Sequence, residues 1–490
     1  MASTVIAAQP VIDRADTQAL VAHGFGKLHH ARYLLGRFED ASRARSWLAS
    51  LASKVTTANL KGTTSGINVA LTFAGLRRLG LPETSLCGFS REFREGMVSA
   101  NRTRILGDLS GTPNDPANWD WGADASQFDV LLLLFCSTSE QLNQLTEDQL
   151  TQFAERGIHL IRELNTTFLQ GNREHFGFRD GISQPRIQGM SQNNKSESYR
   201  DEIAAGEILL GFDDQNGETA TGPVVRSDLD RDQVLRLCKD PAYSDFGHHG
   251  TYLVFRQLQQ DVRLFWSYFG EQARKKDEIV EEFQVSLASK AVGRRPDGTP
   301  LVTNDESAAS PTDLNAFGYH QDRRGRQCPI GAHIRRSNPR DALFDAPQAS
   351  IEAVSRHRIV RRGRPYGWPV DESIYPDCID AVIAQGSQDG GEEDSRGLNF
   401  ICLNADISRQ FEFIQQTWIN NPRLLGQHES DDLIAGSRPQ GSCGQFSIPD
   451  NPVRHRLVSL PYFVTVRGGG YFFLPSIKAI RFLGQLDSAS

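Results

Sequence analysis

Short apolar runs alternate with helical stripes along this chain of 490 residues. ARYLLGRF at 31–38 and GTYLVFRQL at 250–258 read as strands. Each is followed by apolar residues at i, i+3, i+4 and i+7: Ala44, Trp47, Leu48 and Leu51 after the first, Val262, Phe265, Trp266 and Phe269 after the second. That spacing is one face of a helix. A second pair repeats the pattern. FDVLLLLF at 128–135 leads into a helix opened by a Ser137/Glu140 capping box, and GLNFICLNA at 397–405 leads into Asp406, Ile407, Phe411, Ile414 and Trp418. INVALTF at 67–73 and YFVTV at 462–466 supply further strands.

Two strand-helix units with strands between them make a split βαβ sheet. The expected fold class is therefore α+β, with two ferredoxin-like domains built on antiparallel sheets. The polar, Gly-rich stretch from about 188 to 249 holds the expected boundary, giving units 1–215 and 216–490. Long loops near 107–122, 295–313 and 385–394 are of a length that compact domains keep mainly where they border a site; plain surface insertion is the alternative for each.

Composition narrows the function classes. With 53 basic and 60 acidic side chains the net charge is −7, which argues against nucleic acid and anionic membranes as partners. No apolar run approaches the roughly 20 residues of a membrane-spanning helix. The opening MASTVIAAQPVIDRAD lacks the basic and apolar regions of a secretory signal, so a cytoplasmic location is expected, with secretion by another route left open. Seven scattered cysteines without CxxC spacing indicate neither a disulfide framework nor a zinc site.

No Walker A loop, HExxH, EF-hand loop, GxSxG elbow or strand-linked GxGxxG is present. Three segments instead concentrate Gly, Arg, His and Asp: HFGFRDGISQP at 175–185, CPIGAHIRRSNPRD at 328–341 and HRIVRRGRPYG at 357–367. Five arginines fall between 356 and 364. On charge alone this cluster is either a solvated basic face or an anion or cofactor site.

GFRDG at 177–181, GTYLVFRQLQQDV at 250–262, GAHIRRSNPRD at 331–341, RIVRRG at 358–363 and GGGYFFLPS at 468–476 occur in this order. Together they resemble the dye-decolourising peroxidases, haem enzymes built from two ferredoxin-like domains with the haem between them. The long loops resemble the larger-bodied branches of that family. The resemblance implies one haem b per chain, hydrogen peroxide as oxidant, and dyes, phenols or other aromatic compounds as electron donors.

It also implies roles. His333 is the expected iron ligand, with Asp406 or Glu412 as the carboxylate behind it; Asp406 reads equally as a helix N-cap. Asp180 is the expected proton shuttle and Arg361 the stabiliser of developing charge, with Arg362 as its neighbouring competitor. An aspartate remains a base at lower pH than a histidine, so activity is expected to favour mildly acidic conditions. Leu398 and Phe400, two apart on a strand, either line the distal pocket or belong to the sheet core. Arg335, Arg336 and Arg340 are candidates for pairing with the haem propionates, against a surface role for each. Donor oxidation at the surface would use Tyr366 or one of Trp47, Trp119, Trp121, Trp266, Trp368 and Trp418, of which Trp47, Trp266 and Trp418 read as core.

Two positions depart from the family pattern. AHGFG at 22–26 stands where a QG-containing turn is expected, and Gly363 offers no side chain where relatives can place a polar group in the pocket. A haem carrier or redox sensor with incidental peroxidase activity is the alternative function; retention of both Asp180 and Arg361 favours the enzyme. A non-haem basic module using residues 356–364 is a third reading. The physiological donor, encapsulation and oligomeric state stay open.

Overall fold

The structure, a computed structural model, describes residues 10–60, 62–190, 201–275, 278–302, 314–370, 375–376 and 396–486. Cys378, the 385–394 loop and most of the 295–313 loop lie outside them. The first half runs β1 (His30–Phe38), α1 (Ala41–Leu51), β2 (Ser65–Leu71), β3 (Val130–Cys136), α2 (Ser139–Glu155) and β4 (Ile158–Asn165). The strands lie in the order β2-β3-β1-β4, all neighbours antiparallel. The second half repeats this with β5 (Thr251–Gln260), α3 (Val262–Gln272), β6 (Val360–Arg361), β7 (Gly397–Asn404), a helical segment over 408–419, and β8 (Val464–Leu474). Its order is β6-β7-β5-β8, again antiparallel. Each half is thus a ferredoxin-like βαββαβ unit. A Phe473–Leu71 pairing joins β8 to β2, and with the short strand Arg364–Tyr366 beside β7 the described residues form one nine-stranded sheet.

The apolar patterns explain this arrangement. All four stripe positions of α1 and all four of α3 are buried. Every residue of β3 is buried because both sheet faces are covered there, which is why its sequence is a continuous apolar run with no alternation. Trp47, Trp266 and Trp418 are core residues, but so are Trp119 and Trp121, while Trp368 is 37% exposed. A further helix, α4 (Ile477–Gln485), returns to the first half and packs on α1 at Ala49.

Some local expectations shift. The cap of α2 is Thr138, whose hydroxyl accepts from Gln141 N, rather than Ser137, whose amide donates to the Thr64 carbonyl. β2 stops at Leu71, because Thr72 caps a short helix by accepting from Gly75 N. The 407–419 stripe is widened by i→i−5 bonds, Glu412 N to Ile407 O and Asn420 N to Gln415 O, both 2.9 Å. Such π-turns often mark functional sites, and this one turns Phe411, Ile414, Gln415 and Ile419 toward a cavity.

Candidate active site

The cavity, about 1930 Å³ with its open mouth, lies on one face of the second half-sheet. Leu398, Leu258 and Val466 sit side by side in register across β7, β5 and β8, and Phe400 stands opposite Arg256. Residues at alternate strand positions share a face, so Leu398 and Phe400 both reach the cavity. Val292, His333, Ile334 and Ile434 also contribute to its wall, and the first half reaches it with Leu106 and Asn114.

His333 opens a short helix, His333–Ser337. Its Nδ1 lies 3.0 Å from Asp432 Oδ2. A carboxylate only accepts, so Nδ1 carries the proton and Nε2 keeps its lone pair. Asp432 is fully buried, and its Oδ1 accepts from Ile434 N and Ala435 N at 2.8 Å each. Burial works to raise its pKa, but His333, Arg336 and the Ala435 amide outweigh burial and hold the carboxyl below its usual range.

Asp432 therefore occupies the position expected for Asp406 or Glu412. Asp406 accepts from Arg409 N and pairs with the Arg409 side chain. Glu412 pairs with Arg102 and accepts from the Tyr471 hydroxyl at 2.8 Å. Neither lines the cavity. Asp432 belongs to an irregular loop, where no periodicity marks it; its only local signal is the Asp431-Asp432 pair.

The three candidate arginines separate. Arg335 is buried against Asp322 and the Cys328 carbonyl, over the Tyr319 ring. Arg336 is fully buried and donates to the carbonyls of Gly331, Trp418, Asn421 and Ser430 and to Gln427 Oε1. Both hold the proximal segment together instead of facing the cavity. Only Arg340 lines it, with φ 54° and its guanidinium spent on Asn315 and the Phe317 carbonyl. Arg358 of the 356–364 cluster lines it too, as does Arg294, which the sequence does not single out. Burial lowers each of these two to about 10, with Arg340 adding to the effect at Arg294 and Asp201 opposing it at Arg358.

Asp180 stands on a hairpin closed by Asp180 N to Asn172 O at 2.7 Å and Glu174 N to Phe178 O at 3.0 Å. His175 Nε2 pins the hairpin to the Tyr366 carbonyl at 2.8 Å. Arg361 Nη1 meets Asp180 Oδ1 at 2.9 Å. Burial pushes the Asp180 pKa up, but Arg361, the Gly181 amide and His333 prevail and hold it below the usual carboxylate value. The Arg361 main chain is gripped by Gln184, whose amide donates to Arg361 O at 3.1 Å and accepts from Arg361 N at 3.0 Å. Arg362 leaves on the opposite face of β6 and donates to the carbonyls of Leu20 and Val21. A Cβ on Gly363 would lie 2.8 Å from Asn399 O, so β7 leaves no room for a side chain there.

In the basic cluster, Arg358 and Arg361 face the cavity, and Arg362 and Arg364 are hydrogen-bonded to backbone carbonyls between 20 and 29. Among the described residues no helix is long and apolar enough to cross a membrane.

No family model matches the chain. Individual proteins do. It is 31% identical over 385 residues to the multifunctional dye peroxidase DyP2 of Amycolatopsis sp., covering 75% of this chain and 74% of that protein. It is 28% identical over 438 residues to the dye-decolorizing peroxidase msp1 of Mycetinis scorodonius, covering 85% and 76%. A solved structure of an ancestral D-type dye decolorizing peroxidase superposes with a TM-score of 0.73 at 26% identity, over 96% of this chain and 99% of that one. The chain belongs to the dye-decolourising peroxidase family.

Proposed function

We propose that this protein is a haem peroxidase that reduces hydrogen peroxide and oxidises dyes, phenols or other aromatic donors. The observation that carries this reading is the presence, in one cavity, of an imidazole fixed by Asp432 with Nε2 free, and of the Asp180–Arg361 ion pair.

One haem b per chain fits the residues present. The cavity offers apolar walls for a macrocycle from Leu258, Leu398, Phe400 and Val466. His333 would ligate the iron through Nε2. Arg340, Arg294 and Arg358 supply positive charge for propionates, and guanidinium suits carboxylate recognition. Bound haem would supply the redox-active iron and the electron sink that a peroxidase needs.

The chain's own residues then divide the work. Asp180, ionised beside Arg361, takes a proton from one peroxide oxygen and returns it to the departing one. The Arg361 guanidinium stabilises the negative charge that develops as the O–O bond breaks, and it stays charged at every working pH. Leu398 and Phe400 keep water from the distal space, which strengthens both interactions. Asp432 keeps His333 in the ligating tautomer.

Stopped-flow absorption of haem-loaded protein mixed with hydrogen peroxide tests the reading. The Soret band should change rapidly in the wild type, slowly in Asp180→Asn and Arg361→Leu, and the starting spectrum should be lost or altered in His333→Ala. A phenolic donor should then restore the resting spectrum. A Soret band indifferent to peroxide would favour a haem carrier or sensor.

A further inference from the structure

We propose that Glu174 is a protonated carboxylic acid at mildly acidic pH whose hydroxyl donates to the Gln260 side-chain oxygen, and that its ionisation limits the peroxide reaction on the alkaline side. This rests on the peroxidase reading above and adds a residue to it.

Glu174 and Asp180 belong to the same hairpin, and both line the cavity. Glu174 Oε2 accepts from Phe176 N at 2.9 Å, and Oε1 accepts from Phe178 N at 3.1 Å. The remaining contact is Oε2 to the Gln260 amide at 2.5 Å. All three partners are neutral, and among the described residues no cation forms an ion pair with Glu174. An ionised carboxylate in such a place would be a buried charge held by neutral donors alone.

The Gln260 contact carries the argument further. Gln260 Oε1 is buried without a partner, although its amide touches a carboxyl group. A separation of 2.5 Å falls below the range of N–H···O and at the short end of that of O–H···O. The two ends of an amide are isosteric. Turning the Gln260 amide over gives its oxygen a donor, provided that Glu174 carries a proton.

The surroundings agree from each side. On the hairpin, Asp180 disfavours a second negative charge, and Arg173 is committed to the carbonyls of Gly177 and Pro296. His175, next in sequence, is pushed down to about 4 by burial and stays neutral. Tyr375 donates to the His175 carbonyl, and its hydroxyl is pushed far up by burial and by Glu174, with Arg396 and Arg173 opposing. β5 contributes Gln260, with Leu258 and the cation Arg256 further along the same cavity wall, and α3 packs on the turn through Phe265, stacked on Phe176. Burial, aided by Asp180, raises Glu174 to about 7, against the opposing hydrogen bonds of Phe176, Gln260 and Phe178.

One hairpin thus holds two carboxyl groups in opposite states, as acid and base partners require. Glu174 is a positioning residue in the electrostatic sense. While neutral, it leaves Asp180 as the anion that Arg361 balances; once ionised, it opposes the negative charge that peroxide cleavage develops.

The test is infrared titration of haem-loaded protein from about pH 5 to about pH 9, a span that starts above the ordinary carboxyl pKa values of about 4. The expected result is a protonated-carboxyl C=O stretch that disappears with a midpoint near 7, persists in Asp180→Asn and is absent from Glu174→Gln. Gln260→Leu, which keeps the acid, should shift that band to the position of a non-hydrogen-bonded carboxyl. In stopped-flow, the alkaline decline of the peroxide rate should vanish in Glu174→Gln. A wild type without the band at mildly acidic pH, a band surviving in Glu174→Gln, or an unchanged alkaline decline in that variant would overturn the proposal. The band is independent of turnover: indifference to peroxide would sink the peroxidase reading while leaving the protonation state of Glu174 to be read.

Discussion

His333 Nδ1 and Asp432 Oδ2 are 3.0 Å apart, although 99 residues separate them in sequence. The other oxygen of Asp432 is occupied by two backbone amides, so the carboxylate cannot swing away from the imidazole. The orientation of His333 is therefore set by a loop rather than by its own short helix.

Replacing Asp432 should act on the bound cofactor before it acts on peroxide chemistry. Loss of an outer carboxylate behind a metal-ligating histidine typically costs 10–100-fold in affinity. Asp432→Asn should weaken haem binding within about that range and raise the midpoint potential, because a neutral amide makes the imidazole a poorer electron donor. Haem titration and spectroelectrochemistry check both. Asp406→Asn and Glu412→Gln should leave the potential unchanged.

The acid side of the pH profile belongs to Asp180. Its folded pKa is held below the ordinary value of about 3.9, so the base form survives through mildly acidic pH. The same sign governs stability: the contribution of the Asp180–Arg361 pair is fully present above the unfolded pKa and is lost as pH falls through the folded one. Arg361→Leu removes the main opponent of burial, so the acid limb of the peroxide rate should move to higher pH as well as lower in amplitude. A limb that stays in place would show that another group titrates.

The parts legible in the sequence are those with a period or a motif. The stripes of α1 and α3, the strands that carry Leu398 and Phe400, and the GFRDG and RRG segments are spelled out locally, and the structure places Asp180 beside Arg361. Asp432 and Gln184 were not legible, because each acts across 99 or more residues from a loop with no repeat. Arg335 and Arg336 misled for a related reason. Their sequence shows charge, whereas the structure turns Arg335 onto the 322–328 segment and Arg336 onto carbonyls between 418 and 430.

Gln184 replaces a missing strand partner at the edge of β6, with its two hydrogen bonds holding the main chain of Arg361. Gln184→Leu should leave haem binding intact yet slow the peroxide step by roughly 10–100-fold, since misplacing a reacting group by about 1 Å costs about 100-fold. Stopped-flow rates beside haem titration separate the two effects. Unchanged rates would mean that the strand pairing of Arg361 with Cys402 suffices.

Arg336 and Arg340 should respond differently to the same change. Arg336→Met would leave the carbonyls of Gly331, Trp418 and Ser430 and the Gln427 amide oxygen without this donor, while the Asn421 carbonyl keeps the Leu424 amide. Stranded buried acceptors cost about 1–3 kcal/mol each before relaxation, so a loss of about 3 kcal/mol or more is expected in urea denaturation. Arg340→Met removes a cation from the cavity wall and leaves that hub untouched. It should weaken haem affinity with a smaller change in unfolding midpoint. Equal destabilisation by both variants would count against assigning Arg340 to the cofactor and Arg336 to the scaffold.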